Sequence, residues 1–320
     1  MSDIVRLVLP VFGLIFLGFG AARLRSIPDE GVTGLNLFVY YLALPALFFQ
    51  TVSQTPIAEM AGWSYVLTTT FSTYCAFAIA FSIGALINGG NVGEATVQGL
   101  VGSHANIGSM APALAIGAFE TVAATPMALI FSFDYAMLLT LTPLMMVLAG
   151  TVRTSPAAIA ATIARQVLLH PLIIATALGL AAAAGGLRLS DPFDALLTLL
   201  RNAAAPCALF ALGVGLSRRP VGRLTTEMPF LIAVKLVGQP LIVYLLLSWV
   251  GGFDPVWVYA AVLMAALPPA ENVYDLAKRY NTYAGPASSA IALATVVSIA
   301  TVTVTLIVLL NRLLPIDPFR

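Results

Sequence analysis

The chain has 320 residues, of which 60% are hydrophobic and 9% charged, with 15 Lys and Arg against 14 Asp and Glu. Soluble domains carry roughly 25% charge, so a mean hydropathy of +0.97 with a formal net charge of +1 excludes that class, and no nucleic-acid partner is expected. The composition is that of an all-α polytopic membrane protein whose surrounding partner is the lipid bilayer. Cys75 and Cys207 both lie in apolar segments, so neither a disulfide framework nor a Cys-based metal site is expected, and no cofactor is implied.

Windows of about 20 apolar residues, the length that crosses a bilayer, predict ten spans. The first, 4–22, follows Asp3 and Arg6 without a small-residue cleavage site and reads as a span, not a removed leader. The second, 34–53, contains Tyr41-Leu-Ala-Leu-Pro-Ala-Leu-Phe-Phe49, and the third is 63–87. The fourth, 95–117, carries Ser103-His104 and then Ala105-Asn-Ile-Gly-Ser-Met-Ala-Pro112; the fifth, 125–150, carries Asp134. The sixth, 160–184, holds His170-Pro171, and the seventh, 193–216, holds Ala203-Ala-Ala-Pro-Cys-Ala-Leu-Phe-Ala-Leu-Gly213. The eighth, 228–250, contains Lys235 and Gln239-Pro240. The ninth, 256–277, runs into Ala266-Leu-Pro-Pro-Ala-Glu-Asn-Val-Tyr-Asp-Leu-Ala-Lys-Arg-Tyr280, and the tenth is 286–311. Short connections, punctuated by Asn88-Gly-Gly-Asn91, Ser217-Arg-Arg-Pro220 and Gly251-Gly-Phe-Asp-Pro255, leave no room for a soluble domain.

Loops after odd-numbered spans carry Arg23, Arg25, Arg153, Arg165, Arg218, Arg219, Arg223, Lys278 and Arg279. The other side carries only Arg6, Arg188, Arg201, Arg312 and Arg320. The positive-inside rule therefore places both termini outside the cytoplasm, periplasmic in a bacterial inner membrane.

The second-span Ala43-Leu-Pro-Ala-Leu-Phe-Phe49 is echoed by Ala205-Pro-Cys-Ala-Leu-Phe210, and Pro112 is matched by Pro268. The separations, 161 residues from Pro45 to Pro206 and 156 from Pro112 to Pro268, agree within a loop length. Two repeats are expected, 1–150 and 151–320; with five spans each, they face opposite ways in the bilayer. Inverted repeats with helices interrupted at matching places point to a secondary transporter whose site lies near the midplane.

The segments at Tyr41–Phe49, Ala105–Pro112, Ala203–Gly213 and Ala266–Tyr280 together resemble the auxin efflux carrier family, which includes bacterial malonate-transporter-like permeases. The likeness covers essentially the whole chain. It implies a fold shared with bile acid sodium symporters, in which spans 4 and 9 unwind and cross. Spans 1, 2, 6 and 7 then form a scaffold, which offers a surface for a homodimer, and spans 3–5 and 8–10 form the moving transport domain. Asn106 and Gly108 stand where the family has them, whereas Ser109-Met-Ala departs from its apolar and Gly residues before Pro112; the departure bears on substrate identity.

A membrane-embedded proline frees carbonyls on one side and opens a helix N-terminus on the other. Carbonyls hold cations and N-termini hold anions. Asn106, Gly108, Ser109, Pro112, Pro268, Pro269 and Asn272 are thus candidate substrate-binding residues for a small carboxylate, with His104 close enough to touch solute or relay a proton. His170, beside Pro171, reads as a packed residue. Glu271 lies seven residues before Lys278, roughly 10 Å inside the boundary, and Asp275 about 4 to 5 Å inside, one turn from Lys278 and Arg279. Glu271 is the candidate coupling acid, either trading a proton or staying ionised to bind Na⁺, with Asp275 as its neighbour at i+4. Asp134 and Lys235 each lie roughly 12 to 14 Å deep from opposite faces. As a pair they are structural or substrate-binding, and a lysine snorkelling to the surface is the alternative. Gln239 is a further candidate ligand in the coupling set.

Two other classes remain at this stage. A channel or sensor is compatible with the same segments. An intramembrane hydrolase using Ser103 and His104 is disfavoured, because adjacent helical residues point about 100° apart and no hydrolase or metalloprotease motif is present.

Overall fold

The computed structural model describes residues 2–25, 27–55, 62–152, 155–187, 189–219, 222–316 and 319. Arg153, Arg188, Pro220 and Arg320, used above for charge asymmetry and punctuation, lie outside them. Among the described residues the only regular secondary structure is helical. Seven helices among the described residues are long and apolar enough to cross a membrane, or eight if Pro156–Leu168 and Pro171–Ala184 form one span. Large apolar side chains such as Leu9, Leu17, Leu67 and Val304 are exposed, as suits lipid contact.

The chain divides into two compact units. The first comprises Met1–Gly62, Ile107–Ser132 and Leu169–Arg219. It contains α1 (Ser2–Leu24), α2 (Asp29–Phe38), α3 (Leu44–Gln54), α6 (Ile107–Phe119), the start of α7 (Ala124–Leu148), α9 (Pro171–Ala184) and α10 (Asp191–Arg218). Its helices meet through small residues. A Cβ on Gly18 would stand 2.1 Å from the Phe210 carbonyl oxygen, and one on Gly213 2.0 Å from that of Ile15, so α1 and α10 touch backbone to backbone. On α3, buried Gln50 donates through Nε2 to Asp194 Oδ1 and Thr198 Oγ1 of α10, both at 2.8 Å.

The second unit comprises Trp63–Asn106, Phe133–Leu168 and Pro220–Arg320. It contains α4 (Trp63–Ile87), α5 (Val92–Ser103), the rest of α7, α8 (Pro156–Leu168), α11 (Met228–Ala233), α12 (Gln239–Val250), α13 (Pro255–Ala265), α14 (Asn272–Arg279) and α15 (Ala284–Leu310). Gly99 and Gly102 let α5 lie against Phe77 and Ala80 of α4, where added Cβ atoms would come within 2.6 and 2.3 Å. Tyr65 ties α4 to α13, its ring edge-on to Trp257 at 4.9 Å and its hydroxyl donating to the Trp257 carbonyl.

Two π-turns interrupt regular helix, Val39–Ala43 between α2 and α3 and Val234–Gly238 between α11 and α12. Each comes just ahead of a proline, Pro45 or Pro240. A proline cannot donate to the carbonyl four residues back and its ring collides with it. The widened turn bonds five residues back instead, Leu44 to Val39 and Gln239 to Val234.

The sixth segment differs from expectation. The sequence predicts one span over 160–184, whereas α8 stops at Leu168 and α9 starts at Pro171. Pro171 disfavours helical backbone at the residue before it, and His170 is extended with φ −72° and ψ 123°.

Replacing Gly213 with Val forces a side chain into the Ile15 carbonyl, so Gly213→Val is expected to destabilise the protein by about 1 to 3 kcal/mol. Gly20→Ala, with no atom within 4 Å of the new Cβ, is the neutral control. Thermal denaturation in detergent compares them; equal melting temperatures would show that α1 and α10 are not in backbone contact.

Candidate functional site

In the second unit, α5 ends at Ser103 and its C-cap His104 turns extended, φ −84° and ψ 107°. Gly, Ser, His and Asn across 102–108 hold helix poorly. On the other chain segment α13 ends at Ala265 and α14 starts at Asn272. Pro268 and Pro269 lack the N–H groups that the Met264 and Ala265 carbonyls would receive in a continuing helix.

The two extended stretches pair. The Asn106 N–H donates to the Pro268 carbonyl at 2.8 Å and the Ala270 N–H to the His104 carbonyl at 3.0 Å. Ala105 thereby faces Pro269 in an antiparallel bridge. At this register the N–H of residue 269 would point away from its partner, so proline costs the bridge no hydrogen bond.

Polar side chains collect around the pairing. His104 and Asn106 are each only 5% exposed, and the His104 ring lies 6.2 Å from that of Tyr135. Buried Asn272 Oδ1 and Gln239 Oε1 have no hydrogen-bond partner among the described residues. Glu271 is half-buried just ahead of α14, its carbonyl receiving the Tyr274 N–H at 2.9 Å. Asp275, Lys278 and Arg279 are exposed on α14.

Lys235 is fully buried, 0% exposed, so the snorkelling alternative falls. Its Nζ donates to the Ala265 carbonyl at 2.6 Å, the oxygen that Pro269 deprives of a helical donor. Asp134, 3% exposed, accepts from Thr73 Oγ1 at 3.1 Å, and Gln239 Nε2 reaches the same hydroxyl at 3.5 Å. Lys235 and Asp134 interact electrostatically, as do Lys235 and His104. A direct Asp134–Lys235 ion pair, considered from the sequence, is not made: each group has another hydrogen-bond partner.

Gly108, Ser109 and Pro112 fall in the first unit. A Cβ on Gly108 would meet Phe131 at 3.1 Å, Ser109 is half-buried, and Pro112 is buried inside α6. His170 is half-buried at the start of α9. Ser103 Oγ donates to the Gly99 carbonyl at 2.8 Å, so it is not poised on His104 as a nucleophile. Among the described residues no three His, Cys, Asp or Glu side chains gather as a metal site. Thr73 and the Ala265 carbonyl escaped the sequence reading; the second was signalled by Pro269 four residues on.

Residues 3–306 match the profile of the family described as "Membrane transport protein". The chain belongs to that family, the auxin-efflux-carrier-like one. A Rhizobium meliloti (strain 1021) protein named "Putative malonate transporter" is 45% identical over 319 residues, covering 100% of both chains. Family membership makes the interrupted, polar-lined region of the second unit the candidate for solute handling.

Removing the lysine leaves the buried Ala265 carbonyl without its donor and the more distant Asp134 without a counter-charge, so Lys235→Met is expected to cost about 1 to 3 kcal/mol. The double variant with Asp134→Asn should recover part of that loss. Denaturant unfolding in detergent tests this; a stable single variant would contradict the buried-charge assignment.

Proposed function

We propose that the protein is a secondary active transporter of a small organic anion, a short carboxylate such as malonate. The observation that carries this reading is the pair of buried side chains His104 and Asn106, each 5% exposed beside paired, non-helical backbone. Polar side chains at such burial are costly unless paired, and a carboxylate that accepts from Asn106 and from N–H groups near the start of α14 offsets that cost. Family membership and the name of the Rhizobium relative support the same class of solute.

In this reading ten spans form two inverted five-helix repeats, and spans 4 and 9 are the broken, crossing pair. The unit bearing Asn106 and Glu271 is the moving body of an elevator-type cycle, and spans 1, 2, 6 and 7 form the scaffold and a homodimer surface. The chain lies in a bacterial inner membrane with both termini periplasmic. Glu271 takes up and releases a proton each cycle, with Asp134, Gln239 and Asp275 supporting it. Sodium coupling is the second reading, favoured by the unpartnered oxygens of Asn272 and Gln239, which are cation ligands by type.

Proteoliposomes holding the purified protein should show saturable malonate counterflow, which neither a pore nor a hydrolase produces. An imposed proton gradient should drive uptake; drive by sodium alone would transfer the coupling role to the second reading. Asn106→Ala removes a hydrogen bond to a charged solute and is expected to lower transport efficiency about 10- to 100-fold. Wild-type efficiency in that variant would remove Asn106 from the site.

A further inference from the structure

Glu227 has no part in the site described above, yet it is a buried carboxylate, 3% exposed, just ahead of α11. Its Oε1 accepts from Gln98 Nε2 of α5 at 2.8 Å and from the Tyr283 hydroxyl at 2.5 Å. The Thr225 hydroxyl lies 3.0 Å from that of Tyr283. Burial alone would raise the Glu227 carboxyl. The hydrogen bonds from Tyr283, its own backbone N–H, Thr225 and Gln98 outweigh that and hold it below the usual carboxylate range. It is therefore an ionised acceptor at neutral pH, matched to these donors.

Glycines make the approach possible. A Cβ on Gly84 would fall 2.0 Å from Gln98 Oε1, and one on Gly222 2.4 Å from the Gly285 backbone, so any side chain at either position would dislodge a member of the cluster. The α14–α15 connection is itself strained: Asn281 and Tyr283 have φ of 50° and 56°. A tyrosine in that region persists only where its surroundings hold it.

We propose that Glu227 is a positioning residue for the solute site, acting through Tyr283 and Gln98 to fix α14. This rests on the transport reading above. The eight residues of α14 are anchored at one end by the Ala270 N–H on the His104 carbonyl. The other end is held by Tyr283, three residues past Tyr280, through Glu227 to Gln98. Both anchors return to α5, at its C-cap His104 and at Gln98 six residues earlier, about 9 Å apart along the helix. Thus α5 serves as a ruler that sets where Asn272 and Glu271 stand.

Glu227→Gln and Tyr283→Phe in the full chain test this, the second keeping the ring in place should the first not fold. Misplaced ligands cost up to about 100-fold, so half-saturation for malonate counterflow should rise about tenfold while maximal rate stays within about twofold. Amide hydrogen exchange over Asn272–Arg279 should quicken about tenfold with α13 unchanged. Unaltered half-saturation in Tyr283→Phe, or unaltered exchange in α14, overturns the proposal. If the wild-type protein shows no malonate counterflow, the transport reading falls instead, and the exchange measurement alone decides whether Glu227 holds α14.

Discussion

In hydrocarbon no water is available to an unpaired peptide group, and each one left bare costs several kcal/mol. The second unit meets that constraint at the place where two helices stop. Residues 104–106 and 268–270 give one another the hydrogen bonds that helix would have supplied. Without this exchange, the ends of α5 and α13 would each need another partner.

The Ala265 carbonyl is paired differently. Proline at 269 strands the Ala265 oxygen, and the Lys235 ammonium takes it. A cation at a helix C-terminus also complements the helix dipole. This explains how a lysine survives with 0% exposure: its charge answers both a main-chain dipole and the more distant Asp134. The first unit works differently, with α1 and α10 in backbone contact at Gly18 and Gly213 and a hydrogen-bonded clamp at Gln50 and Asp194.

The sequence displayed some of this plainly. Proline has no N–H, so the stop at 265 could be read directly from Pro268 and Pro269. In the fourth segment Pro112 drew attention, but it sits inside α6 and the interruption falls at His104 to Asn106. Gly, Ser, His and Asn across 102–108 favour a stop there, but the hydrogen bonds that complete it come from a segment more than 160 residues away. Counting rise along the helices set Asp134 and Lys235 deep in their segments, and both are buried in the protein; it did not show that the lysine's partner is main chain. Glu227 gains its meaning from Gln98 and Tyr283, which are remote from it in sequence.

The π-turn at Val234–Gly238 has a consequence for lineage as well as shape. One residue in a helix corresponds to about 100° of rotation, so the extra residue re-phases α11 and the turn relative to α12. A relative that lost a single residue here would keep nearly the same helix length while swinging Lys235 off the Ala265 oxygen. Length at this point is thus an angular setting, and an apparent one-residue gap in a homologue would mark a change in which way its buried cation faces.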